Sequence, residues 1–211
     1  MTLRPLAQPP DDQLATRRPP TRVLLVDDHP AVRLGLTRLL SDEADIEIVG
    51  SADSAAEALA QAKAVPVDVA VVDYHLGDRD GLWLTRELTS LPRPVRVLVY
   101  SAYADGRLAA AAALAGAVGV TSKGSLGDEV CRAVKAVARG RRLLPPTARE
   151  VAGSLGERLD ADDQAIFGMF LHGWDADEVA RALRLTPERL ESRRRAILDL
   201  LTAVPDEPIA G

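Results

Sequence analysis

The chain has 211 residues, 47% of them apolar, with 31 acidic side chains against 26 basic ones and a formal net charge of −5. That length holds one or two domains of ordinary globular composition. A single cysteine excludes a disulfide framework or a thiolate metal cluster, and the longest apolar run, Leu108–Val120, is too short to cross a bilayer. No charged-apolar-small leader opens the chain, so cytoplasmic residence is expected.

Residues 1–20 carry Pro5, Pro9, Pro10, Pro19 and Pro20 among polar side chains and read as a disordered arm. From Thr21, short apolar runs alternate with helical patterns, which predicts a parallel sheet covered on both faces. Val23–Val26 runs into Asp27 and Asp28, and Pro30 suits the first turn of a helix. Asp53 is the expected N-cap of the second helix. Val69–Val72 ends at Asp73, and Val95–Tyr100 ends at Ser101. Asp105 is the expected cap of the fourth helix, and Ala117–Ser122 leads to Lys123. Ser125-Leu126-Gly127-Asp128 reads as a capping box for the fifth helix, which should bury Cys131 and ends at Arg139-Gly140.

Ligands of a parallel α/β sheet bind beyond the carboxyl ends of its strands. One such edge would gather Asp27, Asp28, Asp73, Ser101 and Lys123. Three carboxylates that close repel unless a cation neutralises them, and Mg2+ binds carboxylate and phosphate oxygens. Phosphoryl transfer asks for in-line positioning and charge stabilisation. Asp27 and Asp28 would hold the metal, Asp73 would be the nucleophile, and Ser101 and Lys123 would grip phosphoryl oxygens.

In order, type and spacing these residues resemble the receiver domain of two-component response regulators, over roughly residues 21–140. The resemblance implies a flavodoxin-like, five-stranded doubly wound fold. It implies that Asp73 takes a phosphoryl group from a sensor histidine kinase, and that the backbone carbonyl of His75 joins Asp27, Asp28 and Asp73 around Mg2+. A phosphoacceptor of this kind is not a turnover enzyme. Two positions depart from the family: Val120 replaces the usual aromatic three residues before the lysine, and Gly77 stands where proline is common, predicting a more flexible loop. Tyr103 is expected to flank the site entrance.

Residues 141–157 read as a linker with a short helix from about Thr147 to Leu155. Residues 158–202 read as three helices, opened by Asp160, by Asp175 and by Thr186-Pro187. The last two form a helix-turn-helix, whose second helix enters a major groove in DNA-binding proteins. After a receiver, this segment resembles the LuxR-type output domain of NarL/FixJ regulators, on Leu159, Gly173, Glu178, Ala180, Leu183, Leu185, Leu190 and Ile197. The resemblance maps DNA contacts to Arg189, Glu191, Ser192 and Arg195, with Arg193 and Arg194 toward phosphates.

This segment departs further from its family. Glu191 replaces a typical lysine, and Leu159–Leu201 holds nine acids against six arginines. DNA affinity rests largely on phosphate neutralisation, so that balance works against it. Residues 203–211, with Pro205 and Pro208, are expected to form no fourth helix, which leaves any active homodimer to the receiver. The expectation is a transcription regulator that binds double-stranded DNA under control of Asp73 phosphorylation. The alternative is a receiver with a degenerate output that binds RNA polymerase or another regulator.

Overall fold

The computed structural model describes residues 19–155 and 158–202; the expected N-terminal arm through residue 18 and the C-terminal tail from 203 lie outside the described residues. In chain order the elements are β1 (Thr21–Val26), α1 (Pro30–Ser41), β2 (Ile46–Ala52), α2 (Ala55–Ala64), β3 (Val69–Asp73), α3 (Gly81–Thr89) and β4 (Arg96–Ser101). There follow α4 (Gly106–Ala115), β5 (Gly119–Ser122), α5 (Gly127–Ala138), α6 (Thr147–Leu155), α7 (Ala161–His172), α8 (Ala176–Leu183) and α9 (Pro187–Thr202). The strands form one parallel sheet in the order β2-β1-β3-β4-β5, the doubly wound arrangement expected. No helix among the described residues is long and apolar enough to cross a membrane.

Alternation along the strands sends side chains to opposite faces. Val23 and Leu25 of β1 join Val71, Leu98, Leu36, Leu40, Val130 and Val134 on the α1/α5 face. Leu24 and Val26 join Ala70, Val72, Val97 and Val99 on the other, under α2, α3 and α4. Covered on both sides, β3 buries all five of its residues, which is why it reads as an unbroken apolar run.

Helix ends follow the expected chemistry in part. Asp80, Asp105 and Asp160 accept backbone N–H groups as N-caps, and Asp175 with Glu178 forms a full capping box. Two expectations are corrected. Ser54, not Asp53, is the N-cap of α2, and that helix start is instead capped from outside by Asp78, whose two oxygens accept from the Ala55 and Ala56 N–H groups. The N-cap of α5 is Leu126, with no side-chain bond, so Ser125 does not close a capping box.

The helix α4 has the composition Gly-Arg-Leu-Ala-Ala-Ala-Ala-Ala-Leu-Ala, and every residue from Ala109 to Ala115 is buried. A helix apolar all round must be covered all round. The sheet covers its inner face, and α6, α7 and α9 pack against it from outside. Ile166, Phe167, Phe170, Leu190, Ile197 and Leu201 therefore belong to the same continuous apolar core as β1, β3 and β4. The segment between α5 and α6 also touches the sheet: the Leu143 N–H donates to Val118 O at 2.7 Å, and the Val120 N–H donates to Leu143 O at 3.1 Å. A Cβ on Gly119 would meet Leu143 Cβ at 2.9 Å, so glycine there admits the linker.

Candidate functional site

The carboxyl ends of β1, β3, β4 and β5 bring Asp27, Asp73, Ser101 and Lys123 to one edge. Asp27, Asp73 and Ser101 are buried, at 1%, 3% and 1% exposure. Lys123 Nζ stands 2.6 Å from Asp27 Oδ2 and 2.8 Å from Asp73 Oδ2. Burial works against the Lys123 charge, but the two carboxylates outweigh it and raise its pKa. Burial also pushes the Asp73 carboxyl up, with Lys123 opposing and the charge of Asp27 adding to the rise. The His75 backbone N–H opposes that rise by favouring the charged carboxylate. Ser101 Oγ accepts from the Tyr103 N–H at 3.2 Å, and the Tyr103 ring is 76% exposed beside it.

The arrangement suits a hard cation. Ligand atoms of Asp27, Asp28, His29 and Asp73 all lie within 4.8 Å of one another. Asp27 Oδ2 and Asp28 Oδ1 are buried without a hydrogen bond of regular geometry, although Lys123 Nζ and His29 Nδ1 each stand 2.6 Å away. Oxygen donors with free lone pairs are what a divalent ion of this class takes. Sequence reasoning did not place His29 here, though its adjacency to Asp28 was a signal. It also missed Arg33, which bonds the Asp27 carbonyl; Tyr100, a nearby aromatic in the sequence, has its ring centroid 5.9 Å from Lys123 Nζ.

The loop after β3 is tied down, against the expectation from Gly77. Asp78 bonds the start of α2, His75 bridges to Asp80, and Gly81 N–H donates to Tyr74 O at 2.7 Å. A Cβ on Gly81 would collide with Asp73 O, so Gly81 is needed for close approach rather than flexibility.

On α9, the six candidate contacts do not form one free surface. Arg189, Ser192 and Arg195 are exposed. Arg194 is buried at 3% exposure, where Nε and Nη2 donate to Leu114 O near the end of α4 at 3.1 and 2.8 Å. Its guanidinium also stacks over the Phe170 ring at 4.4 Å, and burial pulls its pKa down to about 10. Glu191 lies between two arginines, 3.3 Å from Arg194 Nη1 and 3.4 Å from Arg86 Nε of α3. Arg193 is held by Asp160, Asp162 and Asp163 at 3.0, 3.3 and 2.6 Å. In this arrangement Arg193 and Arg194 therefore do not face outward, as phosphate contacts would.

Comparison with known proteins agrees with the fold. Residues 23–135 match the family model described as the response regulator receiver domain. The chain is 31% identical over 186 residues to response regulator UvrY of Escherichia coli O6:H1, covering 82% of this chain and 84% of that protein. It is 44% identical over 123 residues to the DNA-binding transcriptional activator DevR/DosR of Mycobacterium tuberculosis, a match spanning 58% of this chain and 57% of that relative. Among solved structures, the signal receiver domain of the putative response regulator NarL from Mycobacterium tuberculosis superposes with a TM-score of 0.57 at 37% identity, covering 59% of this chain and all of that one.

Proposed function

Because the chain belongs to the response regulator receiver family, we propose that Asp73 is its phosphoacceptor and that phosphorylation there controls DNA binding by α8 and α9. The observation that carries the first half is the Lys123 ammonium bridging two buried carboxylates, Asp27 and Asp73, beside the Ser101 hydroxyl. A carboxylate oxygen of Asp73 attacks the phosphorus of a phosphohistidine on a sensor kinase, and the imidazole leaves. Lys123 turns from the carboxylates to an incoming phosphoryl oxygen, and Ser101 donates its hydroxyl to another. Asp27, Asp28, Asp73 and the His75 carbonyl would hold Mg2+, which supplies charge neutralisation for the crowded oxygens. The reaction is with the protein itself, not with an external substrate.

The second half rests on the burial of Arg194 and the engagement of Glu191 against α3 and α4. A recognition helix so placed has two of its six candidate contacts, Glu191 and Arg194, engaged by the receiver, so this is a resting arrangement. A phosphoryl group on Asp73 adds charge and acceptors at the edge from which β4 leads to α4. It moves the docking equilibrium by its differential stabilisation of the two states. A DNA-binding role accords with the described function of the DevR/DosR relative.

Labelling by a small phosphodonor with Mg2+ tests the acceptor: Asp73→Asn abolishes it, and stoichiometric labelling of that variant would refute the assignment. One observation favours a protein-binding output instead. Arg193 is held within the helical segment by three aspartates, so undocking alone does not free it for phosphate. Selection of genomic fragments with beryllofluoride-treated protein, beside Arg195→Ala, separates the two. A few sites enriched by wild type and lost in the variant mark a DNA reader, and no enrichment marks a protein-binding output.

A further inference from the structure

Between α3 with the loop after it, and the α7–α8 turn with the first half of α9, runs a cleft of about 1,010 Å3. Its walls come from both halves of the chain, and three of its arginines are poorly matched. Arg194 and Arg86 share the single carboxylate of Glu191. Arg86 Nε is buried without a hydrogen bond. Arg142 donates to Phe170 O at 3.0 Å, and among the described residues no carboxylate pairs with it. Three guanidinium charges therefore face one carboxylate. The other acids on the lining, Glu87, Asp175 and Asp177, make no ion pair with these three among the described residues, and Asp175 is committed to capping α8.

Buried charge without a counter-charge is costly, and a guanidinium fork matches phosphoryl oxygens two at a time. The cleft also offers rings. Trp83 and Trp174 both line it, and Trp174 keeps 43% of its surface exposed. A flat indole left facing an open cleft is a stacking surface for a planar group.

We propose that this cleft binds a phosphorylated small molecule with a planar body, its phosphoryl group held by Arg86 and Arg142 with the buried charge of Arg194 behind them, and its ring against Trp174. Arg86 belongs to the receiver and Arg194 and Trp174 to the helical segment, so the ligand holds the two together. By linkage, anything that separates the halves expels the ligand. The chain then has a chemical input besides phosphorylation of Asp73.

The two tryptophans of the chain are both on the cleft, so intrinsic fluorescence reports on it directly. The test uses the full chain carrying Asp73→Asn, in EDTA, so that neither phosphoacceptor chemistry nor metal-bridged binding contributes. Pyrophosphate, ADP and citrate are titrated in turn, with calorimetry in parallel. The expected result is a saturable change with ADP binding tighter than pyrophosphate, each weakened about tenfold by Arg142→Gln or by Arg86→Gln, the loss of one charge-assisted contact. The Arg38→Gln change on α1 leaves both affinities as they were. If Arg142→Gln fails to fold by circular dichroism, Arg86→Gln carries the test. Absence of saturation by both phosphates in the millimolar range would overturn the proposal. So would affinities unmoved in the folded arginine variants, or citrate binding tighter than either phosphate.

Discussion

Arg194→Met isolates the contact that holds α9 on α4. Methionine keeps most of the apolar stem but removes the guanidinium from the Phe170 ring and both donors to Leu114 O, leaving that buried carbonyl unpaired. Two hydrogen bonds from a charged donor contribute about 1.5–3 kcal/mol each, and the ring contact about 1 kcal/mol more. Against this stands the cost of burying the guanidinium. Burial lowers its pKa from the ordinary arginine range to about 10, which corresponds to roughly 3 kcal/mol. The net loss on substitution is about 2 kcal/mol, or roughly thirtyfold in the docking equilibrium. Urea titration followed by tryptophan fluorescence reads it, because both indoles sit where α3 and the helical segment meet. With a slope of about 2 kcal/mol per molar, the midpoint should fall by about 1 M. A midpoint unchanged from wild type would show that burial cost cancels the bonds and that Arg194 does not hold the helix.

Three further outcomes follow from other contacts. Gly81→Ala pushes a methyl group into Asp73 O, and phosphodonor labelling should slow at least about tenfold, at a stability cost of about 1–3 kcal/mol; a normal labelling rate would show that the loop yields freely. Asp68 accepts from the Arg22 N–H and guanidinium, and the Arg22 side chain holds its pKa below the usual range. Its stabilisation is therefore present above the unfolded carboxylate pKa and lost as pH falls through the lower folded value. Asp68→Asn should cost about 1–3 kcal/mol at pH 7, with the gap from wild type closing below about pH 4 in denaturation curves; a gap constant with pH would contradict this. Asp163→Asn releases the shortest contact on Arg193, 2.6 Å. The salt dependence of DNA binding should then steepen by about one phosphate contact, and an unchanged slope would mean that Arg193 stays bound to Asp160 and Asp162.

The receiver was legible because its chemistry is tied to strand ends. An apolar run that stops at Asp27, Asp73 or Ser101 shows both the strand and the direction from which its side chain meets the others. Helix starts were less legible where a cap comes from elsewhere in the chain, as Asp78 does for α2. The docking of α9 could not be read at all. Arg194 in the sequence is one of three consecutive arginines on a helix, and nothing local distinguishes the one that bonds a carbonyl 80 positions away. A signal was present in α4, whose unbroken alanine run needs cover on every side. It identifies a helix that must be packed against something, but not its partner.

The backbone of Leu143, bonded to both Val118 and Val120, fixes where the helical segment is leashed. The leash starts at that residue on the sheet's edge rather than at the end of α5. A short tether keeps a module near its docking face at an effective concentration on the order of millimolar. At that concentration even a face with intrinsically feeble affinity stays occupied for much of the time. The contact between α9 and α4 can then be weak enough to yield to a single phosphoryl group and still re-form as soon as that group is lost. A reversible signal needs such poise, and here the length of the tether that supplies it is set by two backbone hydrogen bonds at the sheet's edge.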